Sequence, residues 1–194
     1  MIPVTEALDH LFSLVAPLGT EDIPLAEAAG RILADPVTAT RRQPPFAASA
    51  MDGYAVNGVE ADPESMFQVI GESAAGHGFS GRVGAGQCVR IFTGAPMPEG
   101  ANRVIIQEDV TRKGDLITLA RKLDKGPHVR PAGADFNEGD QVEAPLLLTP
   151  AHLALIAAMN VPQLTVARRP RVAILPGGDE LVPPGTTPGP GQIV

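Results

Sequence analysis

Proline and glycine interrupt this chain too often for long helices to dominate it. There are 21 glycines and 20 prolines in 194 residues, nearly double the usual share. Glycine opens backbone conformations closed to other residues, and proline removes a hydrogen-bond donor, so short strands and tight turns are favoured. The pattern is clearest from residue 66 to 129, where 67–70, 87–92, 103–107 and 116–119 read as strands. Gly76-His77-Gly78, Gly81, Gly84-Ala85-Gly86 and Lys113-Gly114-Asp115 separate them. Strands at this spacing predict a compact, barrel-like β unit.

The flanks have a different texture. Leu8, Leu11, Phe12 and Val15 fall on one stripe of a helix. Thr5 is a candidate cap, and Gly19 a stop after Pro17. Burying that stripe would contribute on the order of 6–10 kcal/mol before entropy, which predicts a docked helix. A short helical segment at 25–29 ends at Gly30. Thr149-Pro150 opens a second helix with Leu153, Ile156 and Ala157 on its apolar side and Asn160 as terminator. Residues 163–167 alternate as a strand, and 171–175 read as a further buried strand. The fold class predicted is α+β and β-rich. A mixed domain is built from 1–46 and 130–169, a β domain spanning 47–129 is inserted into it, and 170–194 open an α/β unit that is not completed. The last residues are expected to be poorly ordered and the chain to be a truncated form.

Composition narrows function. The net charge of −7 argues against a nucleic-acid groove and against an anionic membrane surface. No apolar run reaches the roughly 18 residues needed to span a bilayer, and the N-terminus lacks a basic, apolar signal, so a cytoplasmic protein is expected. The single cysteine, Cys88, is flanked by Val89 and Ile91 and is expected to pack as a small hydrophobe in a strand. The histidines share no metal spacing, and the GxG patterns lack the strand–helix context of a dinucleotide site.

Candidate chemistry collects at five places. Pro44-Pro45-Phe46 leads through small residues to Ser49, Asp52 and Gly53. Turn chemistry predicts a hairpin bend at Asp52-Gly53, with a positive φ at the glycine and the carboxylate on open ground. Thr93-Gly94 follows a strand, where a hydroxyl can approach an anion or a metal-bound oxygen. Glu108 closes the next strand and could face the same end of the β unit. Asp135 lies between Ala134 and Phe136, which predicts partial burial and a partner. Asp179 and Glu180 follow Gly177-Gly178, and carboxylates after a buried strand suit magnesium.

Together these motifs resemble the molybdopterin molybdenumtransferase family, the MoeA proteins and the E domain of gephyrin. The resemblance runs from Pro44 through Ser49-Ala50-Met51-Asp52-Gly53-Tyr54-Ala55-Val56 to Thr93-Gly94-Ala95-Pro96-Met97-Pro98. It continues in Gln107-Glu108-Asp109, Gly133-Ala134-Asp135 and Gly178-Asp179-Glu180-Leu181. It implies an enzyme of molybdenum cofactor synthesis that acts on molybdate and adenylylated molybdopterin, releases AMP and uses Mg2+. Asp52, Thr93, Asp135 and Glu180 are then the catalytic positions, Ser49 and Glu108 substrate contacts, and Asp52 and Glu180 the metal ligands. The first domain would be elongated and 170–194 would begin the pterin-binding domain. The implied partners are a second copy in a homodimer, the missing pterin-binding domain, and other cofactor-synthesis proteins. Nothing here matches the family's later pterin-binding segments, so the chain alone is expected to be inactive. The alternative is a non-catalytic dimerisation or assembly module of the same fold.

Overall fold

The computed structural model describes residues 2–194. In chain order its main elements are helix α1 (Val4–Ser13), strands β1 (Thr20–Pro24), β2 (Ile32–Leu33), β3 (Val37–Thr38), β4 (Ala48–Ser49) and β5 (Gly53–Val56). Strands β6 (Met66–Ser73), β7 (Gln87–Ile91), β8 (Arg103–Ile106), β9 (Val110–Lys113), β10 (Leu116–Leu119) and β11 (Val129–Arg130) follow. The rest are β12 (Gln141–Val142), β13 (Leu146–Leu147), helix α2 (Pro150–Ala158) and β14 (Gln163–Ala167). The fold is β-rich with few helices, as the punctuation requires. It divides into two compact units, Asp22–Val166 and a smaller one of Met1–Glu21 with Ala167–Val194.

Within the larger unit a six-stranded sheet runs in the order β8-β5-β7-β6-β10-β9. Its neighbours pair antiparallel except β6 and β7, which are parallel with an irregularity between Val69 and Glu72. The two outer strands, β8 and β9, are joined directly by a single 3-10 turn, Gln107–Asp109, so the sheet curls toward a half-barrel. Side chains of β5, β7 and β8 alternate between two apolar clusters, as period-2 geometry dictates. Tyr54, Val56, Cys88 and Ile105 pack with Phe67, Ile117 and Leu119 on one face. Ala55, Ile91 and Val104 pack with Ala95 on the other. Cys88 is fully buried, and burial pushes its thiol up to about 12.

A third cluster draws Ile23, Leu33 and Val37 together with Phe136, Leu148, Ile156, Met159, Leu164 and Val166. It lies with a second sheet in the order β1-β14-β2-β13. Helix α2 begins as its sequence predicts. Thr149 is its cap, Pro150 its first residue, and Thr149 and His152 form a reciprocal capping box. Asn160 takes the left-handed conformation that ends it (φ 65°).

Three expectations fail. Helix α1 starts after Pro3 with no side-chain cap and ends at Ser13, before Pro17 is reached. Its stripe is not docked: Leu8, Leu11, Phe12 and Val15 are 44%, 59%, 68% and 69% exposed. Residues 171–175 form no strand, and Val172, Ile174 and Leu175 are almost fully exposed. A strand needs a neighbour to complete its ladder, and among the described residues none pairs with this segment. Further along the tail, Val182 and Ile193 close a short ladder, with Ile193 N–H donating to the Glu180 carbonyl at 2.7 Å.

Candidate functional site

Strand order decides which residues meet. Asp52 immediately precedes β5, and Gly53 faces Ile91 at the end of β7 on one side and Ile106 at the end of β8 on the other. The residues that follow those two ends, Thr93 and Gln107-Glu108, therefore share one rim of the sheet with Asp52. The Asp52-Gly53 step is not a hairpin turn, because β4 pairs with β11 rather than with β5. Gly53 is also not at positive φ. Glycine is needed there for close approach instead: a Cβ would run into the Ile105 carbonyl.

Asp52 and Thr93 are joined directly. The Thr93 backbone N–H donates to Asp52 Oδ1 at 2.8 Å, and the Thr93 hydroxyl donates to the same oxygen at 3.0 Å. These bonds, backbone first, hold the Asp52 carboxyl below its ordinary value of 3.8; desolvation opposes them, and the Arg90 charge adds a lesser lowering. Oδ2 carries no hydrogen bond among the described residues. The Asp52 carbonyl accepts from Gln107 N–H at 3.1 Å. Next to Gln107, Glu108 is exposed and accepts from the Gln107 amide at 3.3 Å.

Beside Thr93 opens a cleft of about 400 Å3 lined by Pro44, Pro45, Phe46, Ser49, Thr93, Gly94 and Arg130, among others. Ser49 is buried, and its hydroxyl is engaged within its own turn, donating to the Met51 carbonyl at 2.6 Å. Its main chain is held by Ala95 and Gly94, each at 2.9 Å. Asp135 reaches the cleft through Arg130, whose guanidinium donates to its carboxylate at 2.6 Å. The partner predicted for Asp135 is present, but the side chain is 44% exposed. Its apolar neighbour Phe136 turns into the core and leaves the carboxylate outside. Glu180 belongs to the smaller unit, where its carboxylate folds against Gly178.

The structure thus brings Asp52, Thr93 and Glu108 to one rim, and Ser49 and Arg130-bound Asp135 to the adjoining cleft. Two participants, Arg90 and Arg130, were missed from the sequence. Arg90 could have been flagged as a charge inside the otherwise apolar run Cys88-Val89-Arg90-Ile91-Phe92. No group of three or more His, Cys, Asp or Glu among the described residues could cage a metal. Magnesium asks less, taking one or two carboxylates and leaving the rest of its shell to water and phosphate. An ionised Asp52 with an unengaged Oδ2 fits that demand.

A half-barrel with a carboxylate–hydroxyl junction beside a largely apolar cleft is the candidate site of this β-rich module. Its residues 2–160 match the model of the MoeA N-terminal region (domain I and II), and the chain belongs to that family. It is 38% identical to the molybdopterin molybdenumtransferase of Nostoc sp., over all of this chain and 47% of that protein. With the enzyme of the same name from Haemophilus influenzae the identity is 38%, over 94% of this chain and 46% of the relative. The crystal structure of the molybdopterin biosynthesis MoeA protein from Pyrococcus horikoshii OT3 superposes with a TM-score of 0.84 at 33% identity. That superposition covers 96% of this chain and 51% of the other. The chain spans about half the length of the relatives it matches.

Proposed function

We propose that this chain supplies the N-terminal half of a molybdenumtransferase of molybdenum cofactor synthesis. Adenylylated molybdopterin and molybdate are the substrates, and AMP is the product. The observation that carries the reading is the Asp52–Thr93 junction at the edge of the cleft, in a chain whose curated relatives are transferases by name. Both substrates are anions, so an ionised carboxylate at the rim needs a cation to receive them. Asp52 would hold Mg2+ through Oδ2. When bound, that ion supplies charge neutralisation for phosphate and oxyanion oxygens.

The chain's own residues divide the remaining work. Thr93 fixes Asp52 Oδ1, which leaves Oδ2 directed by a rigid carboxylate. Arg130 presents a cation to the cleft, and Asp135 holds its guanidinium in place. The main chain around Ser49 shapes the floor, and exposed Glu108 borders the rim as a substrate contact. The working protein is cytoplasmic, assembles as a homodimer, and draws on a pterin-binding domain and on other cofactor-synthesis proteins. No helix among the described residues is long and apolar enough to cross a membrane.

The test joins this chain to the segment that completes the relatives' length and follows AMP release from adenylylated molybdopterin with molybdate. Asp52→Asn should lower the rate at least tenfold at limiting magnesium, and excess magnesium should restore part of it. Full activity of D52N at low magnesium would refute the ligand role. A second reading, a non-catalytic assembly module, is favoured by the exposed stripe of α1. It predicts that the joined chain forms a stable assembly with no AMP release.

A further inference from the structure

Three segments carry the rim residues: the one entering β5 with Asp52, the one leaving β7 with Thr93, and the one leaving β8 with Glu108. At Asp52 they are joined directly, through Thr93 and through Gln107 N–H. One further side chain touches all three. The Arg90 guanidinium donates through NH1 to the Gly53 carbonyl at 3.2 Å and through NH2 to the Gln107 side-chain oxygen at 2.7 Å. It also lies over two rings, 5.1 Å from the centre of Tyr54 and 4.8 Å from that of Phe92.

Each of these four partners is the immediate or next neighbour of a rim residue. Gly53 and Tyr54 follow Asp52, Phe92 precedes Thr93, and Gln107 precedes Glu108. We infer that Arg90 is the positioning residue of this site, clamping the three rim segments so that Asp52, Thr93 and Glu108 keep one geometry. It touches no substrate in this arrangement and acts through its neighbours.

The chemistry explains why arginine suits the place. A planar guanidinium offers several donors in a fixed fork and presents flat faces to aromatic rings. A lysine ammonium could supply the charge but not two divergent hydrogen bonds together with stacking. Arg90 also places a permanent positive charge beside the Asp52 carboxylate, at the point where an anionic substrate and its cation would meet. What the clamp serves rests on the proposed transferase reading. Whether it clamps does not.

The test therefore uses this chain alone and needs no turnover. Amide exchange at Thr93 and Gln107 is followed by NMR in wild type, Arg90→Gln and Arg90→Lys. In R90Q, exchange at Thr93 and Gln107 should quicken about tenfold or more, as expected for losing bonds to a charged donor. Amides of β10 should keep their protection. In R90K the charge remains, yet Gln107 exchange should still quicken because the fork is gone. Unchanged exchange at both amides in R90K would overturn the clamp. So would a rise in R90Q that is equal at every amide, since that reports global stability and not rim geometry. Should R90Q fail to fold, R90K alone decides. If the clamp is found and the joined enzyme still releases no AMP, the transferase reading fails and the positioning role survives.

Discussion

At the scale of single residues, backbone proximity has more influence here than turn preference. Gly53 reads as a turn glycine in an Asp-Gly pair, yet its φ is ordinary and its role is to let β5 lie against the Ile105 carbonyl. Because the obstructing atom is main chain and cannot swing away, Gly53→Ala should destabilise the fold by about 3 kcal/mol, the upper end of ordinary overpacking. Urea unfolding measures it, and a loss below about 1 kcal/mol would show that β5 can shift. Cys88 offers a second residue-level test. Its thiol is fully buried and raised from 9.0 to about 12. A group whose native pKa is raised contributes stability that is complete below its unfolded value and is lost as pH climbs through the native one. For Cys88 the loss should fall between pH 9.0 and about 12, and it should vanish in Cys88→Ala. The native thiol should resist alkylation at pH 8 until the chain is unfolded. Cys88→Ser would bury a hydroxyl at an apolar site and should cost about 1–3 kcal/mol.

At the scale of elements, what could be read locally was read well. The strands at 87–91, 103–106 and 116–119 lie within a residue of their expected places, because alternation and glycine punctuation act over a few neighbouring residues. Helix α2 was legible for the same reason: cap, proline and terminator are all local signals. Thr149→Ala should therefore destabilise by about 1 kcal/mol, the usual worth of an N-cap, and thermal unfolding should show the drop without loss of the native fold. Elements whose reality depends on a partner were not legible. Residues 171–175 have the composition of a buried strand and no neighbour to pair with. The α1 stripe has helical spacing, yet none of its side chains is buried. The candidate site divides in the same way. Asp52 and Thr93 could be singled out by type and position, but that they share one carboxylate oxygen follows from the antiparallel register of β5 and β7. Arg90 shows in the sequence only as a charge within an apolar run, because its importance lies in which four groups that register gathers around it.

At the scale of the whole molecule, the unpartnered face of α1 bears on how the chain associates. Leu8, Leu11 and Phe12 form an apolar stripe on α1, Val15 follows just past its end, and none of the four is buried. Exposing several large side chains together on one helix face is uncommon for a monomer and marks a surface that another one covers. Under the proposed homodimer, a second copy covers it, and association becomes linked to stability by mass action. The midpoint of thermal unfolding of the wild-type chain should then rise with protein concentration. Phe12→Asp should abolish that dependence, because it places a charge in the centre of the stripe while leaving no gap in a core: Phe12 is 68% exposed. At low concentration, where the wild type is dissociated, the two chains should unfold at closely similar temperatures. Sedimentation should show the matching change from dimer to monomer. A wild-type chain that sediments as a monomer at every concentration tested, with a midpoint that does not move, would remove the second copy as the occupant. The segment that completes the relatives' length would then be the next to test, by asking whether its addition protects Leu11 and Phe12 from exchange.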